Sequence, residues 1–404
     1  MPILGSQGGS TKGPSTAPTI GTATDLGTGT TVSVTFTAPS FSKLPITSYT
    51  VTSSPGSVTA SGASSPITVT GLTAGTAYTF TVTATNANGI SAATSASNSV
   101  TPAVPKAGYI ASGIAGGGRV STITKVSLPD DTGSTLAATL VQSRFTGAGF
   151  ANSGTAGYFS GGDINTITSI DKLTFSNDSR STFASNFGYA EYIAGFANSG
   201  TAGYVGGGFN AVPAVLATIR KLTFSNDSSA TIGATLTTTS AFLGNAGMAN
   251  SGTAGYFCGG WNSSSTYYSR VDKLAFSNDS KSTLAATLTS GTSRLTAMAN
   301  SGTAGYAGGG NASDGSTYLS NVDKITFSND SKSNLGNILT ATYVNGAGFA
   351  NSGTAGYFAG GSFNSAVVSN MQKIAFSNDS RTSTGNVLAA TTNLPQGCAN
   401  SGAL

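Results

Sequence analysis

The 404-residue chain contains no histidine. A Ser-His-Asp triad, a histidine general acid or base, and the usual imidazole ligands of zinc and haem are therefore excluded. Charge is scarce: 18 Lys+Arg against 14 Asp+Glu give a net charge of +4, and only 8% of residues are charged. No lysine/arginine cluster or base-stacking motif rises above that background, so no nucleic-acid partner is expected. The two cysteines, Cys258 and Cys398, stand where related segments carry Ser160 and Phe150. They read as strand fillers, and no disulfide, metal site or cofactor is expected. No apolar run is long enough to cross a membrane, and Pro2–Leu4 is too short for the hydrophobic region of a secretory signal. Membrane insertion and export are accordingly not expected. The few carboxylates that could pair are Asp130 with Asp131 and Glu191 with Asp171. Because most aspartates recur at fixed places in a repeat, where they read as architecture, no enzyme is expected.

What the chain has instead is glycine, 55 of them, and repetition. Ala-Gly-Tyr ends at Tyr109, Tyr158, Tyr204, Tyr256, Tyr306 and Tyr357, and Ala-Asn-Ser-Gly begins at Ala151, Ala197, Ala249, Ala299, Ala350 and Ala399. A period near fifty residues is that of a β-propeller blade. The two series are out of phase at their ends, since Tyr109 has no Ala-Asn-Ser-Gly before it and the last Ala-Asn-Ser-Gly has no tyrosine after it. The simplest repair is circular: the last strand pairs beside the first strand of the repeat region, giving six blades clasped by the C-terminus.

Within the second repeat, β-branched and aromatic runs bounded by Gly, Asn, Asp and Ser predict four strands. They are an inner strand over Gly147–Gly154, then Ala156–Ser160, Ser169–Phe175 and an outer strand near Ser181–Ala184. A glycine pair, Gly161–Gly162, follows the second strand. This pattern resembles the kelch-type propeller over about three quarters of the chain, though the tryptophan regular in kelch blades is missing. The turns Ser176–Ser179, Ser225–Ser228, Ser277–Ser280, Ser328–Ser331 and Ser377–Ser380 read as tight connections built on Asn and Asp, not as calcium loops. A lysine recurs at one register, at Lys125, Lys172, Lys221, Lys273, Lys324 and Lys373. Its expected role is to pack its stem between blades and set its head on a turn aspartate; the other reading is a cationic ring for an anionic polysaccharide.

The N-terminal part is different. Ser48–Thr52 and the run Ile67–Asn86 alternate polar and apolar residues with period two, which predicts half-buried antiparallel strands. The pattern G-L-T-x-G-T-x-Y-x-F-x-V-x-A-x-N, starting at Gly71, resembles the fibronectin type III module. The resemblance implies a β-sandwich with Tyr78 at a tyrosine corner and Phe36 in place of a core tryptophan. The expected organisation is all-β: a flexible arm at 1–17, a fibronectin III-like sandwich at 18–102, a short linker at 103–106 and a six-bladed kelch-like propeller at 107–404.

In a four-stranded blade the first-to-second and third-to-fourth turns share one face, and the remaining connections share the other. The near-identical segments here are of the first kind and the divergent ones of the second, so binding residues are expected on the divergent face. That face collects Trp261, Tyr267 and Tyr268, with Phe209, Tyr318 and Phe363 in other loops, and Tyr189, Tyr192 and Tyr343 near the entries to inner strands. Flat aromatic faces among Asn, Ser and Thr suit sugar rings. The low-charge composition, the near-identical repeats and the Met-Pro-Ile-Leu-Gly start resemble virion proteins of tailed phages, particularly those of marine cyanobacteria. The resemblance implies a tail fibre, tip or capsid decoration that docks to other virion proteins through its arm and offers its propeller to a host-surface glycan. A purely architectural virion protein and a carbohydrate-active enzyme are the alternatives. No heptad pattern imposes trimerisation, and homo-oligomerisation stays open.

Overall fold

The computed structural model describes residues 14–103, 106–162, 167–184, 191–209, 216–237, 246–262, 265–340, 343–363, 366–388, 391 and 393–400. It divides into two compact units, Met1–Pro105 and Lys106–Leu404. The first is a pair of antiparallel sheets. One is made of Thr19–Asp25, Val32–Thr37 and Ile67–Val69; the other of Thr59–Gly62, Ile46–Ser54, Thr79–Asn86 and Gly89–Ile90. Alternation places Val32, Val34 and Phe36 from one sheet, and Tyr49, Val51, Phe80, Val82 and Ala84 from the other, in one core. Phe36 takes up the expected core position, its ring centroid 4.7 Å from that of Tyr49. The Tyr78 hydroxyl accepts a hydrogen bond from Thr73 N at 3.1 Å, tying the strand back to the chain just upstream. Ser15 is buried, and Thr16 N donates to Phe41 O at 3.2 Å. The sandwich therefore takes in residues that the sequence reading assigned to the arm, because a backbone donor there finds an acceptor. Residues 1–13 and 104–105 lie outside the described set.

The second unit holds six four-stranded antiparallel sheets among the described residues. In the second of these, Ala148–Asn152, Ala156–Ser160, Ser169–Thr174 and Ser179–Ala184 pair in chain order. The outer strand starts two residues before the expected Ser181, because Ser179 pairs with Thr174 directly across the tight turn. The third to sixth sheets begin with Ala194–Asn198, Ala246–Asn250, Thr296–Asn300 and Ala347–Asn351 and repeat the order. The first sheet is composite: Gln396–Ala399 supplies its inner strand and pairs antiparallel with Ala107–Ala111, Cys398 facing Tyr109. All six sheets lie in a propeller-like succession, inner strand against inner strand.

Close approach explains the Ala-Gly alternation. The side chain at one inner-strand position of each sheet presses on the glycine of the next sheet's Ala-Gly-Tyr: Phe150 on Gly203, Phe196 on Gly255, Met248 on Gly305 and Met298 on Gly356. The series returns to its start through Phe349 on Gly108 and Cys398 on Gly157. A Cβ at any of these glycines would overlap the facing side chain. Cys398 is thus a small knob in a site that elsewhere holds Phe or Met. Gly203→Ala should cost about 1–3 kcal/mol, and combining it with Phe150→Ala should cost less than the sum of the two single changes. Denaturant unfolding of the four variants measures this, and strict additivity would rule out the contact.

A polar clamp joins the sheets farther out. The Tyr158 hydroxyl donates to Asp227 Oδ1 at 3.2 Å while Lys172 Nζ meets Oδ2 of the same carboxylate at 2.7 Å. Asp227 sits in the tight turn of the following sheet, whose Phe224 stacks on Tyr158 with centroids 5.1 Å apart. Equivalent clamps bind Tyr109 and Lys125 to Asp178, Tyr204 and Lys221 to Asp279, Tyr256 and Lys273 to Asp330, and Tyr306 and Lys324 to Asp379. The circuit returns to the first sheet through Tyr357 and Lys373, which bind Asp131 at 2.8 and 2.7 Å. Every one of these aspartates has φ between 52° and 57°, a region that Asp tolerates better than most residues.

Burial first, and then the adjacent carboxylate, raises all six clamp tyrosines above their ordinary value of 10.0. A proton held more tightly in the folded chain contributes stability that is fully present below pH 10 and is lost as pH climbs toward the folded-state value. Alkaline titration followed at the tyrosinate absorbance should therefore show these six phenols ionising only together with loss of the fold. Independent titration near pH 10 in an intact protein would contradict the clamps. Tyr204→Phe should cost about 1 kcal/mol at neutral pH and reduce the alkaline slope.

Candidate functional site

The two ends of the sheets differ chemically. At the turn end, uniform ladders run from sheet to sheet. Asn152 Oδ1 accepts from Gly200 N at 2.8 Å and Asn198 Oδ1 from Gly252 N at 2.8 Å, while Ser153 N donates to Ser199 Oγ at 3.0 Å. The lysines of the clamps are each neutralised by a carboxylate at 2.6–2.7 Å. This is the first of the two roles expected for them.

Two of the carboxylates considered for acid–base work, Asp131 and Asp171, are occupied. Asp131 serves the clamp of Tyr357 and Lys373. Asp171 is fully buried and accepts from Arg144 Nη2 at 2.6 Å, from Thr182 Oγ1 at 2.5 Å and from Val141 N at 3.2 Å. Asp272 and Asp323 repeat this at the same register, accepting from Thr237 N and Thr289 N at 2.9 and 2.7 Å. In each case a buried acceptor fastens the segment that leaves the preceding sheet.

The other end carries the differentiated side chains. Trp261 and Tyr267 are bridged in the fourth sheet's loop and stack with centroids 5.8 Å apart, 23° from parallel. The indole Nε1 of Trp261 is buried without a hydrogen-bond partner. Tyr268 is held on both sides: Arg270 covers its ring at 3.9 Å, and Asn262 Nδ2 donates to its hydroxyl at 3.1 Å. Tyr318 pairs with Asn311 in the fifth sheet's loop, and Phe209 pairs through its backbone with Glu191. Tyr343 and Phe363 face each other across a short ladder, with only their backbone described. Tyr189 lies outside the described residues. One loop thus brings Trp261, Tyr267 and Tyr268 together, with much of their ring surface already packed, while Phe209 and Tyr318 belong to other loops.

A second feature at this end was not singled out in the sequence. The entries to the inner strands surround two adjoining cavities, of ≈ 80 and ≈ 90 Å³, that share Gly147, Ile193, Leu295, Gly346 and Pro395 in their walls. Around the mouth, Thr146, Tyr192, Arg294, Asn345 and Leu394 each stand two residues before an inner strand, with φ between 55° and 61°. Their backbones link up: Asn345 N donates to Arg294 O at 3.0 Å, Leu394 N to Asn345 O at 3.0 Å and Thr146 N to Leu394 O at 3.3 Å. The left-handed backbone in non-glycine residues, one of them β-branched, is strain held in place by that linkage. Arg294 lies over the Tyr192 ring at 5.7 Å. Burial raises the Tyr192 hydroxyl above its ordinary value although the guanidinium pulls the other way.

Deeper in, the register that holds Ala148, Ala194, Ala246 and Ala347 holds Thr296 and Gln396 in the two remaining sheets. Both are buried, and neither Thr296 Oγ1 nor either amide atom of Gln396 has a hydrogen-bond partner. The signal was in the sequence: a polar residue twice replaces an otherwise constant alanine beside Ala-Gly-Phe-like runs.

Among known proteins, residues 16–101 match the fibronectin type III domain, so the first unit contains such a module. The chain is similar in fold to the solved structure of YjhT, at 14% identity and a TM-score of 0.51, over 63% of this chain and 87% of that one. At that identity the likeness concerns fold alone. No curated protein matches.

Trp261 is the one tryptophan in the chain, so its fluorescence reports this loop directly. Tyr267→Ala should shift its emission to the red while lowering Tm by no more than about 2–4 °C. Unchanged emission would mean that the stacked pair does not persist in solution.

Proposed function

We propose that the second unit is a six-bladed kelch-like β-propeller closed by its C-terminal strand, and that the chain is a phage virion structural protein. In this reading it is a tail fibre, tip or capsid decoration; the segment before the sandwich docks to other virion proteins, and the propeller binds a host-surface glycan without chemistry. The observation that carries the reading is the chemical division of the sheets. One end is committed to repeated clamps and ladders. The other carries the stacked Trp261–Tyr267 pair in one loop and, separately, a depression walled in part by Tyr192 and Arg294. A rigid scaffold with varied connections on one face is how loop-borne recognition is usually built. Half-buried aromatics beside amide and hydroxyl groups offer stacking and hydrogen bonds to sugars.

An architectural role without receptor contact is favoured by one specific observation, the extent to which Arg270 and Asn262 already occupy Tyr268. Adsorption to candidate host cells separates the two. Replacing Trp261, Tyr267 and Tyr268 together with alanine should reduce saturable, sugar-competed binding at least tenfold, with the propeller still folded. Saturable binding by the wild type that the triple variant retains would take recognition away from this loop, and no cell binding by the wild type would favour the architectural role.

A further inference from the structure

Resting on the glycan reading, we infer that the axial depression is a subsite for a carboxylate substituent of the ligand, with Arg294 at its rim and Thr296 and Gln396 at its base. Three observations converge. First, Gln396 and Thr296 are 2% and 3% exposed and line the cavity, yet their polar atoms bond to nothing in the protein. Leaving a buried amide or hydroxyl unpartnered is costly, and the other four sheets avoid that cost with alanine at this register. The cost is recovered if a bound group supplies the missing partner.

Second, the charge at the mouth is one-sided. Arg294 makes no ion pair among the described residues, whereas every lysine of the clamps is paired. No carboxylate lines either cavity; the nearest along the chain is Glu191, beside Tyr192. The Arg294 guanidinium hydrogen-bonds the Tyr192 hydroxyl and, with five N–H donors in all, keeps others that can take an oxyanion; its planar fork matches a carboxylate.

Third, the size is that of a substituent. Pockets that enclose a whole drug-sized ligand run to roughly 300–1,000 Å³, well above the ≈ 80 and ≈ 90 Å³ here. A sugar ring would rest on the mouth, over Tyr192, and lower its carboxylate toward Gln396 Nε2 and the Thr296 hydroxyl, both of which can donate.

Isothermal titration of the full chain with tri-galacturonic acid, and with its carboxyl-reduced neutral counterpart, tests this. The wild type should bind the acidic sugar about tenfold or more tighter. That preference should vanish in Arg294→Gln and in the double variant Thr296→Val/Gln396→Met. The double variant should also melt at the same temperature as the wild type or higher, because it removes buried groups that lack partners. A lower melting temperature would mean that those groups are structural, and would overturn the assignment. Equal affinity for the two sugars would overturn the subsite and leave the glycan reading standing. Binding of neither sugar would also overturn the subsite, and the cell-adsorption assay would then decide the glycan reading separately.

Discussion

The second unit depends on one interaction made six times: a turn aspartate receiving a tyrosine hydroxyl and a lysine from the sheet before it. Sheets that meet only through apolar side chains could slide, because dispersion and burial are non-directional. The clamp fixes both spacing and register, since its two donors reach different oxygens of one carboxylate. It also explains the composition. With 8% of residues charged, much of the chain's charge is engaged in joining neighbours, and the turn end of the sheets carries little uncommitted charge.

The repeat made most of this legible beforehand. Ala-Gly-Tyr, the recurring lysine and Ser-Asn-Asp-Ser marked the strands and the turn, and the phase mismatch between Tyr109 and Ala399 pointed to pairing between the chain's last strand and the start of the repeat region. That the lysine head would meet a turn aspartate was expected, but the tyrosine hydroxyl on the same carboxylate, and the separation of the two partners in sequence, were less accessible. Local hydrogen bonding by Asn and Asp was the expected reason for the turn, and Asn177 does accept from Ser179 N; Asp178, however, reaches into another sheet, a contact across 69 residues that no local pattern encodes.

In the sandwich, the alternating strands were visible, but the segment after Ile90 was not. It lies along Thr79–Asn86 through hydroxyls: Ala84 N, Val82 N and Phe80 N donate to Ser91, Thr94 and Ser97. Serine and threonine stand in for carbonyl acceptors there, so neither a β-branched run nor period-two alternation announces the segment. The axial depression escaped for a related reason. Loop aromatics such as Trp261 stand out in the sequence, whereas the informative departures are Thr296 and Gln396, single polar residues at a strand position that is otherwise alanine. Only their packing shows that they are buried without partners.

The strand Gln396–Ala399 has a consequence for assembly. Asn400 reaches Ala107 N across 293 residues, while neighbouring sheets clamp across about 70. Closure entropy grows only as the logarithm of length, so this long return costs only about 1 kcal/mol more than a step between neighbours. The thermodynamic handicap is small, but the order of events is constrained. Intermediate sheets can dock as they form, whereas Ala107–Ala111 must wait with one edge unpaired for the far end of the chain. During that interval the exposed edge resembles the edges of its sister strands, and a second molecule's Gln396–Ala399 competes for it on equal chemical terms. Exchange of this strand between copies is therefore the characteristic error open to this architecture, and dilution during refolding is the condition that favours the correct partner.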